Sequence, residues 1–377
     1  MDLGGFLGDY RPFPGLADLN MLLKGFTGKK VLVMGLGLQG GGAGVARFFA
    51  GHGAKVTVTD LKNEKELGSS VKDLTNWANL SHLKINFVLG GHREEDFKNT
   101  DLVIRNPDVP QNSLYLKIAK DHGVPVEMDE SLFLKLCPNP ENVIGATGTR
   151  GKTTTTHLIG DILKEAGLPV LLGGNLRAVA TLSLLEQITP QTKIVLELSS
   201  WQLQGLAEDK ISPHIGVITN IYPDHLNRYK NMEDYIADKK KIYKFQDKND
   251  YLVVNKRMLK RVQHDVVCEA KSRIILFAIE NVPLKIRKNF KLPGEHNLEN
   301  LAGAYMAAKT MGISDMIIGN AVRNFKGVQF RLEKIAEING VTYVNDTTST
   351  TPIATIMALR AFAGKPIILI CGGSSKN

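Results

Sequence analysis

Apolar, β-branched runs alternate along this chain with stretches whose apolar residues recur every three to four positions. VLVMGLG (31–37), KVTVTD (55–60), DLVIRNP (101–107), NVIGATG (142–148), KIVLELSS (193–200), IGVITNI (215–221) and PIILICGG (366–373) all read as buried parallel strands. The segment TTTHLIGDILKEAGLP (154–169) has the helical period and ends at Gly167 and Pro169, a helix stop. A second helix is predicted over Ala43–Ala50. In KIAEINGVTYVND, Asn339-Gly340 separates two strand-like runs, a hairpin signal. Strand and helix in alternation predict an α/β architecture. No internal repeat or low-complexity segment interrupts it.

Composition narrows the class. At 377 residues, two to three domains are expected, and 43% apolar with 23% charged residues fits a globular protein with a sizeable core. The formal charge of +9 suits small anionic substrates as well as nucleic acid. Aromatics are only 7%, and no basic run is interleaved with stacking residues, so nucleic acid is not expected as a partner. Cys137, Cys268 and Cys371 are odd in number and far apart, which argues for a reducing compartment without a disulfide framework or a zinc site. MDLGGFLGDYRPF lacks the pattern of a signal peptide, and no run of about 18 apolar residues is present to span a membrane. A cytoplasmic monomer is expected.

Two glycine-rich turns carry the chemistry. Gly35-Leu36-Gly37-Leu38-Gln39-Gly40 follows a strand and opens a helix, and Asp60 ends the next strand. This is a Rossmann-type βαβ pattern: glycines let a diphosphate approach a helix N-terminus, and the acid reaches further along the nucleotide. Thr147-Gly148-Thr149-Arg150-Gly151-Lys152-Thr153 lies between a strand and a helix, where backbone N–H groups wrap phosphate oxygens. Lys152 is placed on the β- and γ-phosphates of ATP, and Thr153 offers its hydroxyl to Mg²⁺. The loop is a variant, because Ala146 stands where the strict pattern has glycine. Two such turns in succession suggest one domain for a nucleotide-tagged substrate and the next for ATP.

Turn-rich breaks at Pro138-Asn139-Pro140 and Phe325-Lys326-Gly327 divide the chain. The expected organisation is a Rossmann-like substrate domain over 1–140, a central P-loop ATPase-like domain with a parallel sheet over 141–326, and the start of a third Rossmann-like domain over 327–377.

The ordered motifs resemble the Mur ligase family. They are GLGLQG (35–40), TGTRGKTTT (147–155), GGN (173–175), ELSSWQL (197–203), N-x-x-x-DH-x-x-RY (220–229), Y-x-x-x-K-x-x-IY (235–243), G-x-HN-x-x-N (294–300), R-x-E (331–333), NDTTSTTP (345–352) and GGSSK (372–376). ELSSWQL and the first glycine turn are most similar to the branch that adds D-glutamate. The resemblance implies an ATP-dependent amide ligase of peptidoglycan synthesis. Its expected partners are ATP, Mg²⁺, UDP-N-acetylmuramoyl-L-alanine and D-glutamate.

Site roles are implied by the same resemblance. Gly148, Thr149, Arg150, Gly151, Lys152, Thr153 and Thr154 resemble the ATP-phosphate ligands, Asn297 and Asn300 the adenine contacts, and Arg331 and Asp346 groups that close over ATP. Glu197, His225 and Thr153 resemble metal ligands. Lys239 resembles a lysine that the family carbamylates to an anion beside Mg²⁺, although by charge pattern alone it is one cation on a solvated helix face. Lys152, Lys239 and His225 are therefore the expected catalytic set. Gly37, Leu38, Gln39, Asp60 and Asn175 resemble contacts to the UDP substrate, and Thr350 and Lys376 contacts on the amino-acid side.

Arg150, Phe330 and Thr348 depart from the family pattern, which usually has asparagine, histidine and lysine there. About 50 residues follow Lys326, against about 100–150 for a complete domain, so a truncated chain or an incomplete gene is expected. Rival readings are a folate-glutamylating ligase, a nicotinamide oxidoreductase suggested by G-x-G-x-x-G alone, and a non-catalytic nucleotide-binding fragment.

Overall fold

A computed structural model describes residues 15–177, 179–224, 228–258 and 269–373. His225, Cys268 and Lys376, singled out from sequence, lie outside the described residues.

Five strands form a first, wholly parallel sheet: β1 (Lys30–Met34), β2 (Lys55–Asp60), β3 (Ile85–Leu89), β4 (Leu102–Arg105) and β5 (Val126–Glu127). Their order is β3-β2-β1-β4-β5, with Val31 opposite both Val56 and Leu102. The direction of winding reverses between β1 and β4. In doubly wound sheets, ligands lie outside the strand carboxyl ends at that switch point. Six further parallel strands form the second sheet: β6 (Val143–Thr147), β7 (Val170–Gly174), β8 (Lys193–Glu197), β9 (Ile215–Ile218), β10 (Tyr251–Asn255) and β11 (Arg273–Phe277). The order β11-β10-β9-β6-β8-β7 puts β6 between β9 and β8, so the loop after β6 opens at the second switch point.

The helices that bear on function are α1 (Leu16–Lys24), α2 (Gly41–Gly51), α3 (Glu64–Leu80), α4 (Asp129–Leu136), α5 (Lys152–Glu165), α6 (Gln202–Glu208), α7 (Met232–Lys240), α8 (Glu295–Thr310), α9 (Asp315–Asn324) and α10 (Pro352–Arg360). One apolar cluster runs from Leu22 on α1 and Phe26 just after it through Val33 and Phe49 to Leu132, Leu182 and Leu196, so the two sheets share a core. Gly44 on α2 approaches the second unit so closely that a Cβ there would lie 2.5 Å from that of Ala180. A second cluster packs α5, α8 and α9 on the other face of the central sheet. No helix among the described residues is long and apolar enough to cross a membrane.

The predicted hairpin forms as β12 (Glu333–Ile338) and β13 (Val341–Asn345), antiparallel, with positive φ at both Asn339 and Gly340, the backbone a two-residue hairpin turn requires. One strand expectation is corrected. Residues 366–373 form no strand, and Ile368 and Ile370 are each 93% exposed. No strand lies beside them among the described residues, so their backbone has no ladder to join. The sheets also include INFVL, VE, VLLGG, YLVVN and RIILF, which the run pattern did not single out.

Asp129 ties the units together at the start of α4. Its buried carboxylate accepts from the backbone N–H groups of Thr181 (2.7 Å) and Leu182 (2.8 Å). Asp129→Ala would strand both donors, at about 1–3 kcal/mol. Urea denaturation should show a lower midpoint with an unchanged slope; an unaltered midpoint would mean that water replaces the carboxylate without loss.

Candidate functional site

The loop after β6 is built around two glycines. Gly148 has φ +147, and a Cβ there would lie 2.0 Å from Thr219 Oγ1. Gly151, φ +82, leads into α5, and a Cβ there would lie 2.0 Å from Asn300 Oδ1. Both positions need the missing side chain as well as the backbone freedom. Residues after β9 hold the loop. Asn220 O accepts from Thr149 N (2.9 Å), and Asn220 Oδ1 accepts from Arg150 N (2.8 Å). Arg150 O accepts from Thr219 Oγ1 (2.6 Å) and Asn220 Nδ2 (3.0 Å). Thr149 Oγ1 accepts from Tyr222 N (2.9 Å) and lies 3.1 Å from the hydroxyl of Tyr235 on α7.

Cations gather here. Lys152 Nζ donates to Gly148 O (3.0 Å) and Thr149 O (3.1 Å). Burial, reinforced by Arg150 and Arg331, holds its ammonium below the usual lysine range, while Glu197 and Asp224 oppose the shift. Lys239 is 1% exposed, which corrects the solvated-face reading; α7 packs it inward over the Tyr235 ring, 4.9 Å from the centroid. Its Nζ is 3.4 Å from Thr147 Oγ1 at the end of β6. Burial first, and then Lys152, hold it well below the ordinary value. Glu197, at the end of β8, is buried; Oε1 accepts from Asn175 Nδ2 (2.9 Å), while Oε2 has no hydrogen-bond partner among the described residues.

Asn297 and Asn300 share a buried face of α8, joined by Asn300 Nδ2 to Asn297 Oδ1 (3.3 Å), and Asn300 abuts Gly151. The residues after 326 reach the same place. Arg150 Nη2 donates to Thr351 Oγ1 at the start of α10 (2.5 Å) and lies 3.4 Å from Asp224. Burial lowers the guanidinium of Arg331, with Glu197 and Asp346 opposing. Its neighbours Phe330 (φ +65) and Leu332 (φ +45) sit in the left-handed region, a strain that Asp346 and Thr348 brace. Asp346 Oδ1 accepts from Leu332 N (3.1 Å), and Thr348 Oγ1 donates to Phe330 O (2.8 Å), so two departures from the family pattern contact each other. Thr350 is exposed.

The first glycine turn lies across a cleft of about 220 Å³ lined by Gly37, Leu38, Gln39, Asn106, Asn175 and Ser199, among others. Gly40, φ +88, starts α2. Asp60 accepts from the N–H groups of Leu36 (2.9 Å), Gly37 (3.2 Å) and Lys62 (2.9 Å), so its carboxylate fastens the turn itself.

Known proteins match this arrangement. A family model described as "Mur ligase MurD-like, N-terminal domain" matches residues 29–127, and one described as "Mur ligase middle domain" matches 146–290. A UDP-N-acetylmuramoylalanine–D-glutamate ligase of a Roseiflexus species is 43% identical, over 93% of this chain and 79% of its own. The chain belongs to the Mur ligase family. It is an ATP-dependent amide ligase of peptidoglycan-precursor synthesis, similar to the D-glutamate ligases. The Borreliella afzelii enzyme of that name is 37% identical over 92% of this chain and 77% of its own. Among solved structures, the murein peptide ligase of Psychrobacter arcticus matches with a TM-score of 0.56 at 16% identity, over 89% of this chain and 76% of that one, a likeness of fold.

Several Mur ligase site neighbours escaped the sequence reading. Thr219, Asn220, Tyr222 and Tyr235 hold the phosphate loop; only Asn220 and Tyr235 stand at fixed positions of the quoted motifs, Tyr222 falls on an unspecified position and Thr219 lies outside them. Arg105 and Glu130, both buried, line the cleft beside the first glycine turn from positions no motif marks. Burial, and then the adjacent Asp129, push Glu130 from 4.5 up to about 8, with Gln202 and Arg105 opposing. The folded state therefore holds a proton between pH 4.5 and 8 that the unfolded chain releases, and this stabilisation is lost as pH rises through 8. Glu130→Gln should flatten the fall in melting temperature between pH 5 and 8; an unchanged slope would place the proton elsewhere.

Proposed function

We propose that the chain joins D-glutamate to UDP-N-acetylmuramoyl-L-alanine, as a cytoplasmic monomer. One observation carries the reading: Lys152, Lys239 and Glu197 meet at the ends of β6 and β8, beside a loop whose glycines admit no side chain. In this reaction a carboxylate oxygen of the UDP substrate attacks the γ-phosphorus of ATP, and ADP leaves. The amine of D-glutamate then attacks the acyl-phosphate carbonyl, and inorganic phosphate leaves as the amide forms. The protein's work is positioning and charge neutralisation. Lys152 and the N–H groups of Gly148 and residues 151–154 hold the transferring phosphate, those of Thr149 and Arg150 being taken by Asn220; Asn297 and Asn300 face the adenine, and Arg331 and Asp346 close the site against water. Gly37, Leu38, Gln39 and Asn175 hold the UDP substrate, in a turn that Asp60 keeps in shape; Thr350 and Lys376 serve the amino-acid side.

The unpaired, buried Glu197 Oε2 fits a cation, and Mg²⁺ in such sites takes one or two carboxylates plus phosphate oxygens. Glu197, the Thr153 hydroxyl, His225 and a carbamylated Lys239 would hold Mg²⁺, which when bound neutralises charge on the phosphates. The depressed ammonium of Lys239 supports carbamylation: the neutral amine adds to carbon dioxide, forming an N–C bond and releasing one proton.

Lys152→Ala should lower phosphate release, assayed with both acceptors present, by about 10²–10³-fold with the circular dichroism spectrum intact. Near-normal turnover would sink the assignment. Depleting carbon dioxide should slow the wild type, and Lys239→Ala should lose activity that short-chain carboxylates partly restore. A fully active Lys239→Ala would end the carbamate idea.

A further inference from the structure

Two buried polar atoms of residues that line the substrate-side cleft have no hydrogen-bond partner among the described residues: Arg105 Nη2 and Glu130 Oε2. Each side chain is otherwise well held. Arg105, the last residue of β4, donates through Nη1 to Val109 O (3.1 Å), and its Nη2 lies 4.0 Å from Glu208 Oε1 on α6. Glu130, in the first turn of α4, accepts through Oε1 from Gln202 Nε2 (2.6 Å), and Gln202 Oε1 in turn accepts from Ser199 N (2.9 Å). Arg105 is 1% exposed and Glu130 3%, and both line the cleft with Asn106, Asn175 and Ser199. A buried donor or acceptor without a partner is costly, and two against one cleft point to a ligand that completes them.

We propose that Arg105 and Glu130 recognise a secondary amide of the sugar-nucleotide substrate and so set specificity in this cleft. The inference rests on the proposed UDP-sugar substrate and adds to it the group that is read. A phosphate or carboxylate is the poorer fit, because Glu208 already faces Arg105 Nη2 and Asp129 lies next to Glu130. A neutral amide fits. Its carbonyl takes the free Arg105 N–H. Its N–H meets a Glu130 carboxylate, or its carbonyl shares a Glu130 O–H when that group is protonated. The substrate carries two such amides, the acetamido group on the sugar and the bond from the muramoyl arm to alanine.

Titration calorimetry on the whole chain separates them. Wild type, Arg105→Lys and Glu130→Met are titrated with UDP-N-acetylglucosamine and UDP-glucose, then with UDP-N-acetylmuramoyl-L-alanine and UDP-N-acetylmuramate, with ATP as control. If the acetamido group is read, the preference for UDP-N-acetylglucosamine over UDP-glucose falls about 10- to 100-fold in both variants while ATP affinity holds. If the alanyl amide is read, that preference stays and the preference for the alanylated muramate falls by the same factor. Both preferences unchanged, or all four UDP ligands weakened equally, would overturn the inference and leave Arg105 and Glu130 as structural ties. A wild type that binds no UDP sugar would instead overturn the substrate reading, and this inference with it. Should Arg105→Lys fail to fold, Glu130→Met decides alone.

Discussion

Nothing larger than hydrogen fits between the phosphate loop and what lies behind it. Gly148 is pressed on Thr219 and Gly151 on Asn300, so the loop is cast against β9 and α8 at once. That double contact orders the rest. With the loop seated, Asn220 takes the Thr149 and Arg150 amides, and Lys152 turns back onto the loop carbonyls. Tyr235 reaches Thr149 from α7, the same helix that carries Lys239 under the end of β6. A parallel sheet supplies this economically, because its strands deliver their carboxyl ends to one edge and the switch point opens a crevice there.

The electrostatics follow from that crowding. Lys152, Lys239 and Arg331 are all shifted toward losing their charge, burial being the largest cause each time, and neighbouring cations deepen every shift. Glu197 opposes all three. Such a site is incomplete in charge: cations held this close gain from an arriving polyanion, whose phosphates replace the lost hydration with fixed partners. The same lowering that disfavours Lys239 as an ammonium makes it a nucleophilic amine. One cause, desolvation, thus underlies both the proposed phosphate binding at Lys152 and the proposed carbamate chemistry at Lys239.

Much of this was legible in the chain because the signals are local. The glycine turns, the strand before each and the Asn339-Gly340 hairpin depend on residues a few places apart, and the structure forms them where the pattern put them. Lys239 shows where local reading ends. In ADKKKIYKF nothing distinguishes it from Lys240 and Lys241, and only the packing of α7 turns it inward. Asp60 was legible as a residue and not as a contact, since two of its three partners are backbone amides 23 and 24 residues earlier. Residues 366–373 failed for a complementary reason: β-branched composition proposes a strand, and a neighbouring ladder has to accept it.

Asn175 joins the two clefts. Its side chain lines the substrate-side cleft, and its amide donates to Glu197 Oε1 at the nucleotide side. Five residues on from Glu197, Gln202 fixes Ser199 and Glu130 on the substrate side. The segment 197–202 therefore borders both proposed sites, and a ligand that drew Asn175 away would alter the only hydrogen bond described for the Glu197 carboxylate. Coupling of this kind is reciprocal: whatever occupancy of one cleft does to Glu197, a cation on Glu197 does to the first cleft in equal measure. Any coupling between the two proposed sites would thus run through this asparagine, since the glycine turns themselves follow strands of separate sheets.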